Sequence, residues 1–123
     1  MHELSIVMSI VDIAQREAAK AGACVVEEIE LDIGELSTIE MEAFSFAWNQ
    51  AVRNTILEHA HRKVNRIGGQ ARCLSCCIEY SIHDVFEPCP VCGDHLVEIV
   101  AGKELRVRSL LVGDDVPAGA LKA

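Results

Sequence analysis

The sequence predicts an α+β fold: a small sheet of about three strands with two helices, plus an inserted cysteine-rich module. Apolar residues recur at helical spacing near the amino terminus and again after residue 40, which predicts the two helices. Apolar and charged residues alternate around residue 30 and over residues 103–112, which predicts strands. Two Cys-x-x-C motifs lie between these strands, and a chain of 123 residues has room for a small core and a module stapled by a metal ion.

The first helix is predicted over residues 4–21. One helical face is formed by the apolar residues Leu4, Val7, Val11, Ala14 and Ala18. Gly22 follows and is predicted to stop the helix, because glycine readily adopts the left-handed conformation found at helix ends.

The first strand follows Cys24, where the sequence period changes from helical to two. It interleaves an apolar set, Ile29, Leu31 and Ile33, with an acidic set, Glu28, Glu30 and Asp32. Because successive side chains of a strand point to opposite faces, one face is predicted to be buried and the other acidic and solvated. Cys24, at the start of the strand, is interpreted as a small buried hydrophobe.

The second helix begins after a turn at Gly34, which ends the strand. The tetrapeptide 37–40 fits a capping box, with Ser37 as the N-cap and Glu40 reaching back to it. A helical stripe follows and is predicted to pack in the core; its members are Met41, Phe44, Trp48 and Val52.

Further strands are predicted on either side of the cysteines, over residues 62–67 and over residues 103–112. Pairing the last strand with the earlier ones makes the cysteine module an insertion in one sheet and places Arg106 and Arg108 across from the acidic face. Gly68-Gly69 and Gly102 mark the two ends of the insertion. The predicted parts are a discontinuous α/β domain (1–69 and 99–112), the module (70–98) and a mobile tail (113–123).

The cysteine module contains the strongest chemical signal in the chain. Two Cys-x-x-C knuckles supply four thiols, Cys73, Cys76, Cys89 and Cys92, with twelve residues between the knuckles. Four thiolates without an open position are typical of a structural Zn(II) site, so the module is predicted to be zinc-ribbon-like. A disulfide framework and a rubredoxin-like iron site are the alternatives. Cys77 could also replace Cys76 as a ligand, because Cys73 and Cys77 have Cys-x3-Cys spacing.

Composition restricts the classes of function. A formal charge of -8 and a pI near 5.0 disfavour nucleic acid as a partner. No apolar run is long enough to cross a bilayer, and the start of the chain does not read as a secretory signal, so a cytoplasmic location is expected. A closed four-thiolate site has no vacancy for water or substrate, and no nucleophile and base pair is evident, so the chain is predicted not to be an enzyme.

A second metal site is suggested by His2, which adjoins a free α-amine. The amine, the His2 amide and the His2 imidazole Nδ1 can form two fused chelate rings in one plane, an arrangement suited to Ni(II) or Cu(II). A fourth donor would come from Glu3, from water or from another imidazole. The alternative is a solvated terminal histidine.

Several segments together resemble the HypA/HybF hydrogenase nickel-incorporation family over about residues 1–112. They are the start Met1-His2-Glu3-Leu4, the turn Ile33-Gly34-Glu35-Leu36-Ser37, both cysteine knuckles and Gly102-Lys103-Glu104-Leu105. Members of that family carry nickel to the large subunit of nickel–iron hydrogenase, with a GTPase partner, HypB. The resemblance therefore implies a nickel carrier with those two partners.

The resemblance also implies particular ligands. His2, with Glu3 beside it, would bind nickel in the α/β domain, and Cys73, Cys76, Cys89 and Cys92 would bind zinc. In one position the chain departs from the family pattern: Cys77 follows the first knuckle, where the family usually has glycine. The sequence leaves a homodimer open, as well as two other classes of function, a zinc-ribbon adaptor and an iron–sulfur electron carrier.

Overall fold

The computed structural model describes residues 3–113. The elements within this range, in chain order, are α1 (Glu3–Lys20), β1 (Val25–Gly34), α2 (Met41–Ala51), β2 (His61–Ile67), β3 (Gly69–Cys73), β4 (Glu79–Ile82), β5 (Val97–Ala101) and β6 (Leu105–Gly113). They form two three-stranded sheets with the orders β2-β1-β6 and β4-β3-β5. The predicted α+β class is confirmed. His2 and the predicted tail lie outside the described residues, apart from Gly113, which ends β6.

Helix α1 ends where the sequence predicts. Gly22 has a φ of 68°, the Gly22 amide donates to the Ala19 carbonyl at 3.1 Å, and the Ala23 amide donates to the Ala18 carbonyl at 2.9 Å. These two bonds form a Schellman motif, which satisfies carbonyls that a helix end would otherwise leave free. The predicted apolar face is buried except for Leu4, which lies in the first turn and is 51 % exposed. No described helix has the length and apolarity needed to span a membrane.

Strand β1 is the central strand of the first sheet, and its burial follows the predicted alternation only in part. Ile29, Leu31 and Ile33 are fully buried, as predicted. Asp32 is also fully buried, so the prediction that its face is solvated is wrong at this residue. The reason is that both carboxylate oxygens accept hydrogen bonds, from Asn65 Nδ2 at 3.0 Å and from Arg106 Nε at 2.8 Å. The predicted pairing of Arg106 with the acidic face of β1 is thereby confirmed.

Helix α2 begins later than the predicted capping box. Glu40, not Ser37, is the N-cap: its carboxylate accepts from the Glu42 amide at 3.2 Å and from the Ala43 amide at 2.6 Å. Ser37 is occupied elsewhere, since its hydroxyl donates to the Gly34 carbonyl at 2.6 Å. A carboxylate at a helix start also complements the helix dipole, which explains why glutamate can replace serine as the cap. The predicted core packing of the stripe is confirmed for Phe44, Trp48 and Val52, which are buried, whereas Met41 in the first turn is only half-buried.

The second sheet was not predicted. Central strand β3 is antiparallel to β4 and to β5, with Arg72 opposite Glu79 in one pair and Cys73 opposite Val97 in the other. The alternation of a strand is present in β3, but its buried positions are Gly69, Ala71 and Cys73. These small residues lack the β-branched and aromatic side chains that usually indicate a strand.

The chain divides into two compact units. One comprises the segments up to Leu31, Ile39–Lys63 and from Val107 onward, and the other comprises Asp32–Thr38 and Val64–Arg106. Glycine is required inside the second unit, where a Cβ on Gly34 would lie 1.9 Å from the Gly102 carbonyl oxygen. The division into residues 1–69 with 99–112 and residues 70–98 stays a prediction.

Candidate metal centre

Four cysteine thiols converge in the second unit. Cys73 and Cys92 have their sulfurs 3.6 Å apart, as do Cys76 and Cys89, and all four sulfurs lie within 4.8 Å of one another. A tetrahedral zinc ion with Zn–S bonds of about 2.3 Å places its sulfurs about 3.8 Å apart. The cluster therefore fits a four-coordinate thiolate site, and iron can also be bound by four such sulfurs.

The two knuckles have nearly the same backbone structure. In the first, the Cys77 amide donates to the Cys73 carbonyl at 2.9 Å; in the second, the Gly93 amide donates to the Cys89 carbonyl at 2.8 Å. Cys77 and Gly93 both have a positive φ, 63° and 74°. Each turn also aims an amide at its first sulfur, from Cys76 to Cys73 Sγ at 3.5 Å and from Val91 to Cys89 Sγ at 3.4 Å.

Cys77 is thus the structural counterpart of Gly93 and not a member of the cluster. The cluster contains Cys76, while the Cys77 thiol is exposed. The first turn closes at Cys77, so the cysteine that precedes it is the one whose sulfur meets the second knuckle. This geometry favours the register that uses Cys76.

Replacing Cys77 with glycine is expected to raise the free energy of unfolding by about 1 kcal/mol, because a left-handed backbone is strained for any residue with a Cβ. The matched control is Gly93→Cys, which places the same strain in the second knuckle and is expected to lower stability by a similar amount. Urea unfolding of the metal-loaded proteins measures both changes. A lower free energy of unfolding in C77G would contradict the assignment of Cys77 to the turn position that Gly93 occupies in the second knuckle.

The surroundings of the four thiols lower the pKa of Cys73 and of Cys89 and raise the pKa of Cys76 and of Cys92. Burial acts to raise the pKa of Cys89, but the amides of Cys92 and Val91, together with hydrogen bonds from the Cys76 and Cys92 thiols, outweigh it and lower this pKa to about 7. The Ile78 amide acts to lower the pKa of Cys76, but burial and hydrogen bonds with the other thiols raise it to about 12. Neighbouring thiols that cannot all be charged alone can all ionise around a divalent cation, which supplies the missing positive charge.

Hydrogen bonds outside the cluster hold the knuckles together. The Leu74 amide donates to the Leu96 carbonyl at 2.9 Å, and the Cys89 amide donates to the Asp94 carbonyl at 2.9 Å. The Ser75 hydroxyl donates to the Asp94 carboxylate. The sulfur positions are therefore fixed by backbone and side-chain bonds as well as by any bound ion.

The proposed nickel ligands are only partly within the described residues, because His2 lies outside them. Glu3 begins α1, and its Oε2 accepts from the Glu40 amide at 3.2 Å, which ties the start of α1 to the start of α2. The other histidines considered as donors are His59, His61, His83 and His95. Within residues 3–113, the four-cysteine cluster is the one group of three or more Cys, His, Asp or Glu side chains close enough to share an ion.

Cys24 corrects another sequence interpretation. It is exposed and not buried, because it lies in the bend that precedes β1, before the strand enters the core. Its amide donates to the Gly113 carbonyl at 3.2 Å.

Comparison with known proteins places this chain among hydrogenase maturation factors. Residues 1–112 match the family described as hydrogenase/urease nickel incorporation, metallochaperone, hypA. The chain is 44% identical over 112 residues to the hydrogenase maturation factor HypA of Parabacteroides distasonis, covering 91% of this chain and 97% of that protein. It is 38% identical over 112 residues to HypA of Geobacter metallireducens, covering 91% and 99%.

A solved structure shows the same fold. The solution structure of the Ni metallochaperone HypA from Helicobacter pylori superposes with a TM-score of 0.69, covering 94% of this chain and 100% of that chain. The two sequences are 24% identical, so this likeness concerns the fold alone.

Proposed function

Because the chain belongs to the HypA family of hydrogenase and urease nickel-incorporation metallochaperones, we propose that it binds Ni(II) at its amino terminus and delivers the ion to the large subunit of nickel–iron hydrogenase. The predicted family resemblance is confirmed, and so is the prediction that the chain is not an enzyme. The single observation that carries the proposal is the family match, which starts at residue 1 and so includes the amino terminus.

The nickel site in this proposal consists of the α-amine, the His2 amide and imidazole, and Glu3. A set of nitrogen donors in one plane suits Ni(II) and gives Zn(II) little advantage. Glu3 stands at the first turn of α1, and its carboxylate is already held by the Glu40 amide. A terminal site with few protein ligands also releases its ion readily, as a carrier must.

The second metal in this proposal is a structural Zn(II) bound by Cys73, Cys76, Cys89 and Cys92. The fit of their sulfur separations to a tetrahedral ion supports it. When bound, the ion would supply cross-linking and charge neutralisation. The chain's own residues fix the donor positions through the two knuckle turns.

The role in hydrogenase maturation implies contact with the maturation machinery. We assign the contacts to a HypB-type GTPase and to the precursor of the hydrogenase large subunit, in the cytoplasm. A homodimer is compatible with this assignment.

Delivery is tested in a host from which the gene has been deleted. Hydrogenase activity is expected to fall and to recover when nickel is added to the medium in excess, since high nickel replaces a carrier by mass action. The measurement is hydrogenase activity together with the nickel content of the immunoprecipitated large subunit. A host with urease reports in parallel whether urease also depends on the gene. Normal nickel in the large subunit of the deleted strain would refute the assigned target.

A further inference from the structure

Three large apolar side chains stand on the surface around the cysteine cluster. Leu74 is 55%, Val91 is 71% and Leu96 is 64% exposed. They are close together, because the Leu74 amide donates to the Leu96 carbonyl at 2.9 Å and because Leu74 and Val91 adjoin Cys73 and Cys92, whose sulfurs are 3.6 Å apart. We call Leu74, Val91 and Leu96 the knuckle patch.

Folding does not explain why these three residues are apolar. The interior of the second sheet is supplied by other side chains, including Ala71, Cys73 and Ile82, each at most 1% exposed. Leu74 and Val91 lie between the two cysteines of their Cys-x-x-Cys turns, where backbone hydrogen bonds make the turn and a polar side chain would serve as well. Neighbouring exposed apolar side chains on a soluble domain are typical of a binding surface.

The segment of chain that carries the knuckle patch is acidic. Residues 70–98 contain five acidic residues and a single basic one, Arg72, which pairs with Glu79 at 3.3 Å. Asp94 lies within the patch, since its Oδ1 accepts from the Leu96 amide at 3.1 Å. The other Asp94 carboxylate oxygen accepts from the Ser75 hydroxyl, so two hydrogen bonds hold this carboxylate beside Leu96.

We propose that the knuckle patch binds a basic amphipathic helix of a partner protein. Large apolar side chains form one face of this helix, and Lys or Arg side chains flank that face. The apolar side chains of the partner cover Leu74, Val91 and Leu96, and a basic side chain pairs with Asp94. Charge complementarity selects this partner over an acidic segment or an anionic membrane, which the carboxylates repel. The patch uses neither His2 nor Glu3, so the inference does not depend on the proposed nickel site.

The test uses the full-length ¹⁵N-labelled protein and a synthetic amphipathic helix of leucine and lysine. A peptide with the same leucines and with glutamate in place of lysine is the control for charge. In NMR titrations the lysine peptide is expected to shift the amide signals of residues 74–76 and 91–96 first. The glutamate peptide is expected to leave them unchanged. Shifts that concentrate on other surfaces, or equal binding of both peptides, would overturn the proposal.

Matched variants distinguish the patch from general exposed hydrophobicity. Leu74→Ser with Leu96→Ser is expected to weaken binding of the lysine peptide by about tenfold or more, because the bound peptide loses its apolar contacts with two leucine side chains. Leu4→Ser with Met8→Ser removes two side chains of comparable exposure, 51% and 59%, and is expected to leave binding unchanged. Equal affinities of the two double variants would also refute the inference, and the mapping on unmodified protein gives a result even if a variant misfolds.

Discussion

Replacing Cys89 with serine is expected to release the metal ion of the four-cysteine cluster and to unfold the sheet β4-β3-β5. Cys89 is 2% exposed, and its sulfur lies 3.6 Å from that of Cys76. A structural zinc site contributes roughly 10–16 kcal/mol of apparent binding free energy in small modules, comparable to the whole stability of a domain, and three thiolates retain only part of it. We therefore expect less than one equivalent of bound zinc and loss of amide protection over residues 69–101.

The measurements are elemental analysis after dialysis and hydrogen exchange, and α1 supplies an internal reference. Its buried face is formed by Val7, Ile10, Val11, Ala14 and Ala18, and its amides are expected to stay protected. Cys77→Ser is the matched control, because it removes a neighbouring thiol outside the cluster and is expected to keep a full equivalent of zinc. Full zinc retention by C89S would show that the four thiols do not act as one site.

The sequence predicted those parts of the fold that follow from a repeated apolar pattern. Helix α1, strand β1 and the buried aromatic stripe of α2 could be predicted because large apolar side chains recur in them at a regular period. Strands β3, β4 and β5 could not, since each has five residues or fewer and the alternation in β3 is made by small residues. Such strands are specified by their partners and by the nearby knuckles more than by their own sequence.

Polar residues were harder to place, because their roles depend on partners distant in sequence. Asp32 looked solvated on a strand pattern, yet Arg106, which is 74 positions further along, turns it into a buried acceptor. Glu40 replaced Ser37 as the cap of α2 for a local reason, the use of the Ser37 hydroxyl in the preceding turn. The periodicity of a sequence does not reveal which hydrogen-bond partners its polar residues have.

The cysteine cluster was the most predictable feature, because the spacing of the two cysteines in a knuckle restricts the positions of their sulfurs. Two residues between cysteines allow one turn to aim both sulfurs at the same point, and two such turns complete the site. The choice between Cys76 and Cys77 as the second ligand of the first knuckle could be made only from the backbone conformation. Cys77 adopts a φ of 63°, the conformation that Gly93 adopts in the second knuckle, and this leaves Cys76 to face the cluster.

Blocking the α-amine is expected to abolish high-affinity Ni(II) binding without altering any side chain. Adding residues ahead of Met1, or acetylating the amine, removes one of the nitrogen donors that make the proposed site planar. His2→Ala removes the imidazole and is expected to weaken binding by roughly 100-fold or more, since loss of even an outer-shell partner of a metal ligand typically costs 10–100-fold. Both changes should leave the zinc content and the fold intact.

The loss of Ni(II) binding is measured by calorimetric titration and by the d–d absorption band of planar nickel. His59→Ala is the matched control: it removes an imidazole that pairs with Glu58 at 3.6 Å, and it is expected to bind nickel like the unmodified protein. Equal nickel affinity in the extended protein and in the unmodified one would refute the terminal site. The same result in H59A and H2A would exclude any particular role for His2.

Protons are expected to compete for this site, which gives the nickel affinity a definite dependence on pH. An α-amine titrates at about 7.7–8.0 and a histidine at about 6.5, and both must lose their protons to bind the ion. Between pH 8 and pH 6 the affinity should therefore fall by at least about tenfold, since the amine alone becomes almost fully protonated over that interval. The zinc content is expected to stay constant over the same range, because four thiolates bind their ion far more tightly than a terminal chelate does. A nickel affinity that does not change with pH would show that the ligands are not these nitrogen donors, and it would move the search to the carboxylates beside the start of α1.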